Sequence, residues 1–176
     1  KLIPTEETIV QNKFVNNLSQ SKDLTFFLNT YGSLYAVENK KMNVNWFLNL
    51  NPSLELNTTN LFYSNQIVSN NNIVVVTANQ FTYVVDINNG SIIYKLNLTS
   101  SIKPLILGDY LFLVSGNSLL VSFDLLNGKI IYSYNINKQI AEFLDTKEKK
   151  IQVKNIFIAD NKILIFLKNS FVLKFN

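Results

Sequence analysis

Two aspartates, Asp86 and Asp124, begin a nine-residue stretch that occurs twice, as DINNGSIIY and then as DLLNGKIIY. Carboxylates at a recurring position could act as general acids or bases. The chain has no His and no Cys, which excludes a Ser-His-Asp triad, a thiol nucleophile and an ordinary zinc site. Both stretches contain Asn-Gly, the pair that favours tight hairpin turns. The pattern therefore favours a structural role for the two aspartates over a catalytic one.

The remaining carboxylates identify no reaction. Glu6 and Glu7 are adjacent, and the run DTKEKK at 145–150 mixes charges as a solvated loop does. No pair of acids stands out as a glycosidase pair, and no phosphate-binding loop is present. We therefore expect a protein that is not an enzyme and that binds no cofactor and no metal.

Composition narrows the class of protein further. Hydrophobic residues make up 47% of the 176 residues and charged residues 16%, which indicates a folded chain. No apolar run has the roughly 18–20 residues of a membrane-spanning helix. The net charge is +4, but all 16 basic residues are lysines and most are scattered. Without arginine forks or a coherent basic face, we expect no nucleic-acid binding.

The elements that must position the aspartates are short strands. Apolar runs of strand length, such as LTFFL, IVVV, YLFLV and KILIFL, alternate with polar turns. Because these runs are continuous rather than alternating, we expect strands buried on both faces. In the third unit we predict strands at 103–107, 111–115, 119–123 and 129–134.

A repeat links these strands to the acids. A third copy of the motif begins at Glu38, and the acids are 48 and then 38 residues apart. An aromatic residue follows each acid by eight positions. A period of 40–50 residues with about four strands per unit is typical of a β-propeller. We predict an all-β propeller of four-stranded antiparallel blades forming one domain over 1–176, with blades near 11–50, 66–98, 102–136 and 155–176, the last without its own fourth strand.

The motif has a physical explanation within such a blade. The acid can bond backbone amides of the turn, and the glycine supplies the positive φ angle that the turn needs. The aromatic ring is large enough to wedge between neighbouring blades. The predicted structural residues are Glu38, Trp46, Asp86, Gly90, Tyr94, Asp124, Gly128 and Tyr132.

The motif resembles that of the PQQ-type propeller repeat family, whose blades carry Asp-x-x-x-Gly-x-x-x-Trp. Two copies have Tyr in place of Trp, and the copy at Glu38 keeps Trp46 but has Met42 in place of Gly. Within the family the chain is most similar to the BamB-type assembly factors. That resemblance implies a scaffold on the periplasmic side of the outer membrane, held through a lipid anchor outside this chain. It also implies partners in the outer-membrane assembly complex and among unfolded barrel substrates.

Other functions stay open. The same repeat builds quinoprotein dehydrogenases, which hold PQQ and Ca²⁺ with acidic ligands, an arginine contact, a tryptophan floor and often a disulfide between adjacent cysteines. This chain has no Arg, no Cys and one Trp. A propeller that binds a small ligand and a general cell-surface interaction module are further alternatives.

About four blades in this chain leave three ways in which the propeller can form a closed ring of blades. The chain can be part of a longer seven- or eight-bladed ring, which we favour, or two chains can complete a ring. Alternatively, a four-bladed ring can close with Glu6–Val10 as the missing strand. Two insertions, Asn51–Asn65 and Ala141–Asn155, are the candidate docking elements for partner proteins.

Overall fold

The computed structural model describes residues 17–51, 62–78, 80–160 and 162–175. Within these ranges the chain forms four antiparallel sheets and one short helix. The chain divides into two compact units, Lys1–Asn97 and Leu98–Asn176. Two sheets belong to each unit, and in each sheet the strands follow chain order.

The first unit contains two four-stranded sheets. The first sheet consists of β1 (Leu18–Ser21), β2 (Leu24–Leu28), β3 (Ser33–Glu38) and β4 (Val44–Asn49). The second sheet consists of β5 (Val68–Ser69), β6 (Ile73–Ala78), β7 (Phe81–Asp86) and β8 (Ile92–Leu96). Each strand pairs with the next one along the chain, as tight hairpin connections require.

The second unit contains the third and fourth sheets. The third sheet consists of β9 (Leu105–Leu107), β10 (Tyr110–Val114), β11 (Leu119–Asp124) and β12 (Lys129–Asn135), whose limits agree with the predicted strands to within two residues. A helix, α1 (Ile136–Phe143), follows. The fourth sheet has three strands in the described residues: β13 (Val153–Ala159), β14 (Lys162–Leu167) and β15 (Val172–Phe175).

Burial follows the position of a strand within its sheet. All six residues of β6 are buried, and so are four of the five in β10. The edge strands β8 and β12 are largely exposed. The runs IVVV and YLFLV thus lie in strands covered on both faces, as predicted, whereas LTFFL in β2 and KILIFL in β14 have only two buried residues each. Each unit has its own hydrophobic cluster, one including Phe26, Leu34 and Val74, the other including Leu120, Ile156 and Ile165.

Helix α1 was not predicted, although its sequence carries a start signal. The Asn135 side chain accepts a hydrogen bond from the Lys138 backbone N–H at 3.0 Å, which caps the first turn. Ile136 and Ala141 are buried, and Ile136 belongs to the hydrophobic cluster that contains residues of the third and fourth sheets. No helix in the described part of the chain is long and apolar enough to span a membrane.

Several predictions fall outside the described residues. Glu6–Val10, the suggested closing strand, lies outside them, and so does most of the insertion Asn51–Asn65. The second insertion, Ala141–Asn155, is described: it includes the end of α1, a connecting loop and the start of β13. The single domain and the blade limits stay predictions.

Candidate functional site

The repeated acids are committed to their own hairpins. The Asp124 carboxylate accepts hydrogen bonds from the backbone N–H groups of Leu126 and Asn127, at 2.8 and 3.0 Å, and from Asn127 Nδ2 at 2.7 Å. The Asn127 side chain, followed by its backbone N–H, lowers the pKa of this carboxyl. Asp86 accepts in the same way from the Asn88 N–H at 2.7 Å. These contacts give both aspartates a turn-stabilising position.

The residue four places after each acid has a left-handed backbone. The φ angles are 53° at Met42, 74° at Gly90 and 67° at Gly128. Each of these N–H groups donates to the carbonyl oxygen of its acid, at 2.8 to 3.0 Å. The Met42 hairpin therefore adopts the same turn without glycine, at the strain that a side chain adds in this region.

The first acid has a different side-chain contact. Glu38 forms an exposed ion pair with Lys41 at 3.3 Å. Its backbone N–H donates to the Asn43 carbonyl at 2.9 Å, which closes the hairpin as the Asp86 to Ser91 bond does in the second sheet. The backbone scheme is therefore the constant part of the motif, whereas the acid side chain varies.

Each aromatic residue lies at a fixed register position. Trp46 pairs with Ala36, Tyr94 with Val84 and Tyr132 with Ser122, in every case two residues before the acid. Directly beyond each pair the register shifts by one residue. This β-bulge adds local twist and sets the direction of the ring.

Trp46 connects two sheets of the first unit. Its Nε1 donates to the Ile87 carbonyl oxygen at 2.7 Å, and its ring lies 5.9 Å from the Phe26 ring. A Cβ placed on Gly90 would come within 2.6 Å of Trp46 Cε3. Trp46 of the first sheet thus packs on the glycine of the next hairpin. This glycine provides space for the ring as well as backbone freedom.

The two tyrosines are less enclosed. Tyr94 is half-buried, and Tyr132 keeps 42% of its surface exposed. Burial raises the pKa of Tyr132, and a hydrogen bond with the Ser122 side chain acts in the opposite direction. The Tyr132 ring is substantially exposed to solvent, so it is not enclosed between sheets in the way that the sequence predicts.

The second unit contains an apolar groove that sequence reasoning did not find. It has a volume of about 460 Å³ and lies between α1, the β14–β15 hairpin and β15. Its apolar walls are formed by Tyr134, Ile140, Phe143, Leu144, Phe171 and Phe175. Phe143 is 88% exposed and Phe171 61%. The part of the groove that the sequence does signal is α1, through the N-cap Asn135 followed by apolar residues at helical spacing.

The groove is held by specific contacts. Tyr134 and Phe175, which both line the groove, meet edge to face at 5.2 Å between ring centroids. The Asn137 side chain accepts from the Ile151 N–H at 3.2 Å and ties the loop after α1 back to the helix. The predicted docking insertion 141–155 therefore contributes Phe143, Leu144 and Ile151 to this surface. Among the described residues, no group of three or more His, Cys, Asp or Glu is placed to hold a metal.

Comparison with solved structures defines the class of fold. The sheets match β-propellers, and the chain has an all-β fold consistent with a partial propeller, which confirms the predicted fold class. No protein-family model matches the sequence, and no curated protein matches it either.

Three matches illustrate the likeness. BamB from Moraxella catarrhalis aligns with a TM-score of 0.67 at 13% identity, over 90% of this chain and 45% of that one. The computationally designed Ika4 protein aligns at 0.65 and 13% identity, over 98% of both chains. The quinohemoprotein alcohol dehydrogenase from Comamonas testosteroni aligns at 0.59 and 10% identity, over 82% of this chain and 28% of that one. The chain thus spans less than half the length of BamB. Its fold is of the PQQ-like β-propeller type.

Proposed function

We propose that this chain is a non-catalytic, protein-binding scaffold that acts on the periplasmic side of the outer membrane in the assembly of β-barrel proteins. The observation that carries the binding role is the groove beside α1. Its apolar walls, together with the Phe143 ring that is 88% exposed, offer a surface on which an apolar side chain of a partner protein can dock.

The groove has the features of a protein anchor point. Its walls are aliphatic and aromatic, and its rim carries Gln139, Asn169 and Lys174. Interfaces are commonly built this way, with buried aromatic anchors inside a polar rim. The fold likeness to BamB supports barrel assembly as the setting. The partners we propose are the outer-membrane assembly complex and unfolded barrel polypeptides.

A pair of variants tests the proposal. The full chain is titrated with a purified barrel-assembly complex and, separately, with an unfolded barrel protein. We expect Phe143→Gln to weaken binding of at least one partner about tenfold, because it removes an exposed anchor without disturbing the core. The control is Phe47→Gln, an aromatic residue 66% exposed on β4 of the first unit. Absence of binding to both partners, or an equal loss in the control, would overturn the proposal.

The second candidate function is a quinone-dependent dehydrogenase. It is favoured by the fold likeness to the quinohemoprotein alcohol dehydrogenase. Titration of the full chain with PQQ and Ca²⁺, followed by absorbance, separates the two candidates. Stoichiometric uptake of the quinone would favour the dehydrogenase and contradict the scaffold.

A further inference from the structure

A second cavity in the second unit differs in chemistry from the groove. It has a volume of about 430 Å³, in the usual range for small-molecule pockets. Three separate segments supply its walls: residues 101–102, the β10–β11 turn, and the strand pair β13–β14 near Lys154 and Lys168. Its lining consists of Ser101, Ile102, Ser115, Gly116, Ser118, Gln152, Val153, Lys154 and Lys168.

The cavity is rich in donors and has no acid in its lining. Two lysines contribute positive charge, and neither Lys154 nor Lys168 forms an ion pair with any described residue. Lys168 Nζ donates to Gln152 Oε1 at 2.6 Å, which places its ammonium group at the cavity wall. An ammonium can make three hydrogen bonds, so two donors remain for a ligand.

The β10–β11 turn adds neutral donors. Ser115 Oγ accepts from the Leu119 N–H at 3.2 Å, which leaves the hydroxyl proton of Ser115 to donate elsewhere. The Gly116 N–H forms no hydrogen bond with the described residues, and no atom beyond its two chain neighbours lies within 4 Å of the place a Cβ would take there. A ligand can therefore approach this backbone closely.

The rest of the wall is fixed. Ser118 is 4% exposed, and its Oγ donates to the Ile151 carbonyl oxygen at 3.1 Å. The Lys168 N–H donates to the Gln152 carbonyl oxygen at 2.9 Å, which joins the two lysine-bearing segments through the backbone. The cavity is therefore built on paired strands and a closed turn rather than on a free loop.

The net charge of the second unit also favours an anionic ligand. Residues 98–176 contain ten lysines and six carboxylates, whereas residues 1–97 contain six of each. The whole net charge of +4 is therefore carried by the unit that contains the cavity. A local excess of positive charge raises the concentration of anions near such a site.

We propose that this cavity is a binding site for a small organic anion, whose carboxylate or phosphate group lies between Lys154, Lys168 and the Ser115–Gly116 turn. The apolar part of the ligand packs on Ile102 and Val153, which line the same cavity. The site is separate from the groove and does not depend on the proposed scaffold function.

Two probes test the site in the full chain. Inorganic phosphate carries the anionic group alone, and hexanoate carries a carboxylate with an apolar tail. Binding is followed by the amide NMR signals of Gly116 and Ser118 and by calorimetry. We expect saturable binding of at least one probe, with signal changes centred on the turn. A preference for phosphate identifies a phosphate ligand, and a preference for hexanoate identifies a carboxylate ligand with an apolar body.

A charge-matched pair of variants gives the decisive comparison. Lys154→Gln combined with Lys168→Gln should weaken binding at least tenfold, because it removes both cationic donors. Lys129→Gln combined with Lys162→Gln removes the same charge from the same unit at positions outside the cavity lining, and should leave binding within twofold. Equal thermal stability of the two variants confirms that both fold. No saturable binding of either probe, or equal losses in the two variants, would overturn the site.

Discussion

Trp46 and Tyr132 hold the same position in two hairpins, yet their surroundings differ. Each ring follows its acid by eight residues and lies opposite the residue two places before the acid. Trp46 packs on Gly90 and donates to the Ile87 carbonyl, whereas Tyr132 is 42% exposed. The repeated motif thus sets the backbone and the direction of the ring. The neighbouring hairpin decides whether that ring stabilises the fold.

The largest expected effect comes from removing the packed ring. Trp46→Ala should reduce the free energy of unfolding by about 3 kcal/mol, because it empties a packed site and leaves the Ile87 carbonyl without its donor. Tyr132→Ala should cost about 1 kcal/mol or less, since much of that ring is in water. Urea unfolding followed by far-ultraviolet circular dichroism measures both. Equal losses would contradict the distinction between the two rings.

The second effect tests the space under Trp46. Gly90→Ala should cost about 2–3 kcal/mol, because the new Cβ meets the indole at 2.6 Å and the φ angle is 74°. Gly108→Ala is the control: φ is 55°, but nothing lies within 4 Å of its Cβ, so about 1 kcal/mol is expected. In a Trp46→Ala background the two substitutions should cost the same. A persistent difference there would show that the indole is not the cause.

The third effect is a gain in stability. Met42→Gly should stabilise the chain by about 1 kcal/mol, because φ is 53° and the methionine side chain is 59% exposed. Met42→Ala keeps a Cβ in the left-handed region and should leave stability nearly unchanged. Thermal melting of the two variants and the parent chain checks the order. If Met42→Ala stabilised as much as Met42→Gly, backbone strain would not be the explanation.

The smallest effect is the acid response of the third-sheet hairpin. Hydrogen bonds from Asn127 lower the pKa of Asp124 in the folded chain below its usual value near 3.8. The carboxylate therefore stabilises the fold above that value, and the contribution is lost as the pH falls through the lowered pKa.

Comparing stability at pH 7 and at pH 2 isolates this contribution. The parent chain should lose more stability on acidification than Asp124→Asn does. Asn127→Ala removes the side-chain donor to this carboxylate and should reduce the acid response in the same direction. An acid response unchanged in both variants would show that this carboxylate contributes nothing measurable.

Much of the fold could be predicted because its signals are local. The strands of the third sheet follow from apolar runs, and the hairpins follow from the spacing of Asp86 and Asp124. Helix α1 was not predicted because its eight residues make only about two turns. A periodic pattern this short cannot be distinguished from that of a strand. The Met42 turn shows a limit of motif matching, since methionine adopts the backbone that glycine adopts in the other copies.

The candidate sites were less accessible to sequence reasoning because they join distant segments. The groove brings Phe143 of α1 against Phe171 and Phe175, and the polar cavity combines residues from 101 to 168. No local sequence pattern indicates that Lys154 and Lys168 line the same cavity, because the pairing of β13 with β14 brings the two lysines together. Packing among the strands, turns and helix of the second unit, rather than local propensity, creates both surfaces.

The register shift that precedes every acid has a consequence for behaviour at high concentration. Edge strands with apolar side chains, such as Ile130 and Ile131 on β12, are templates on which identical molecules can grow into fibrils. Each of the edge strands β4, β8 and β12 contains one extra residue, a β-bulge that increases the local twist. A twisted edge is a poorer surface for pairing with a strand of another molecule. The same irregularity that aims the rings therefore also guards against aggregation.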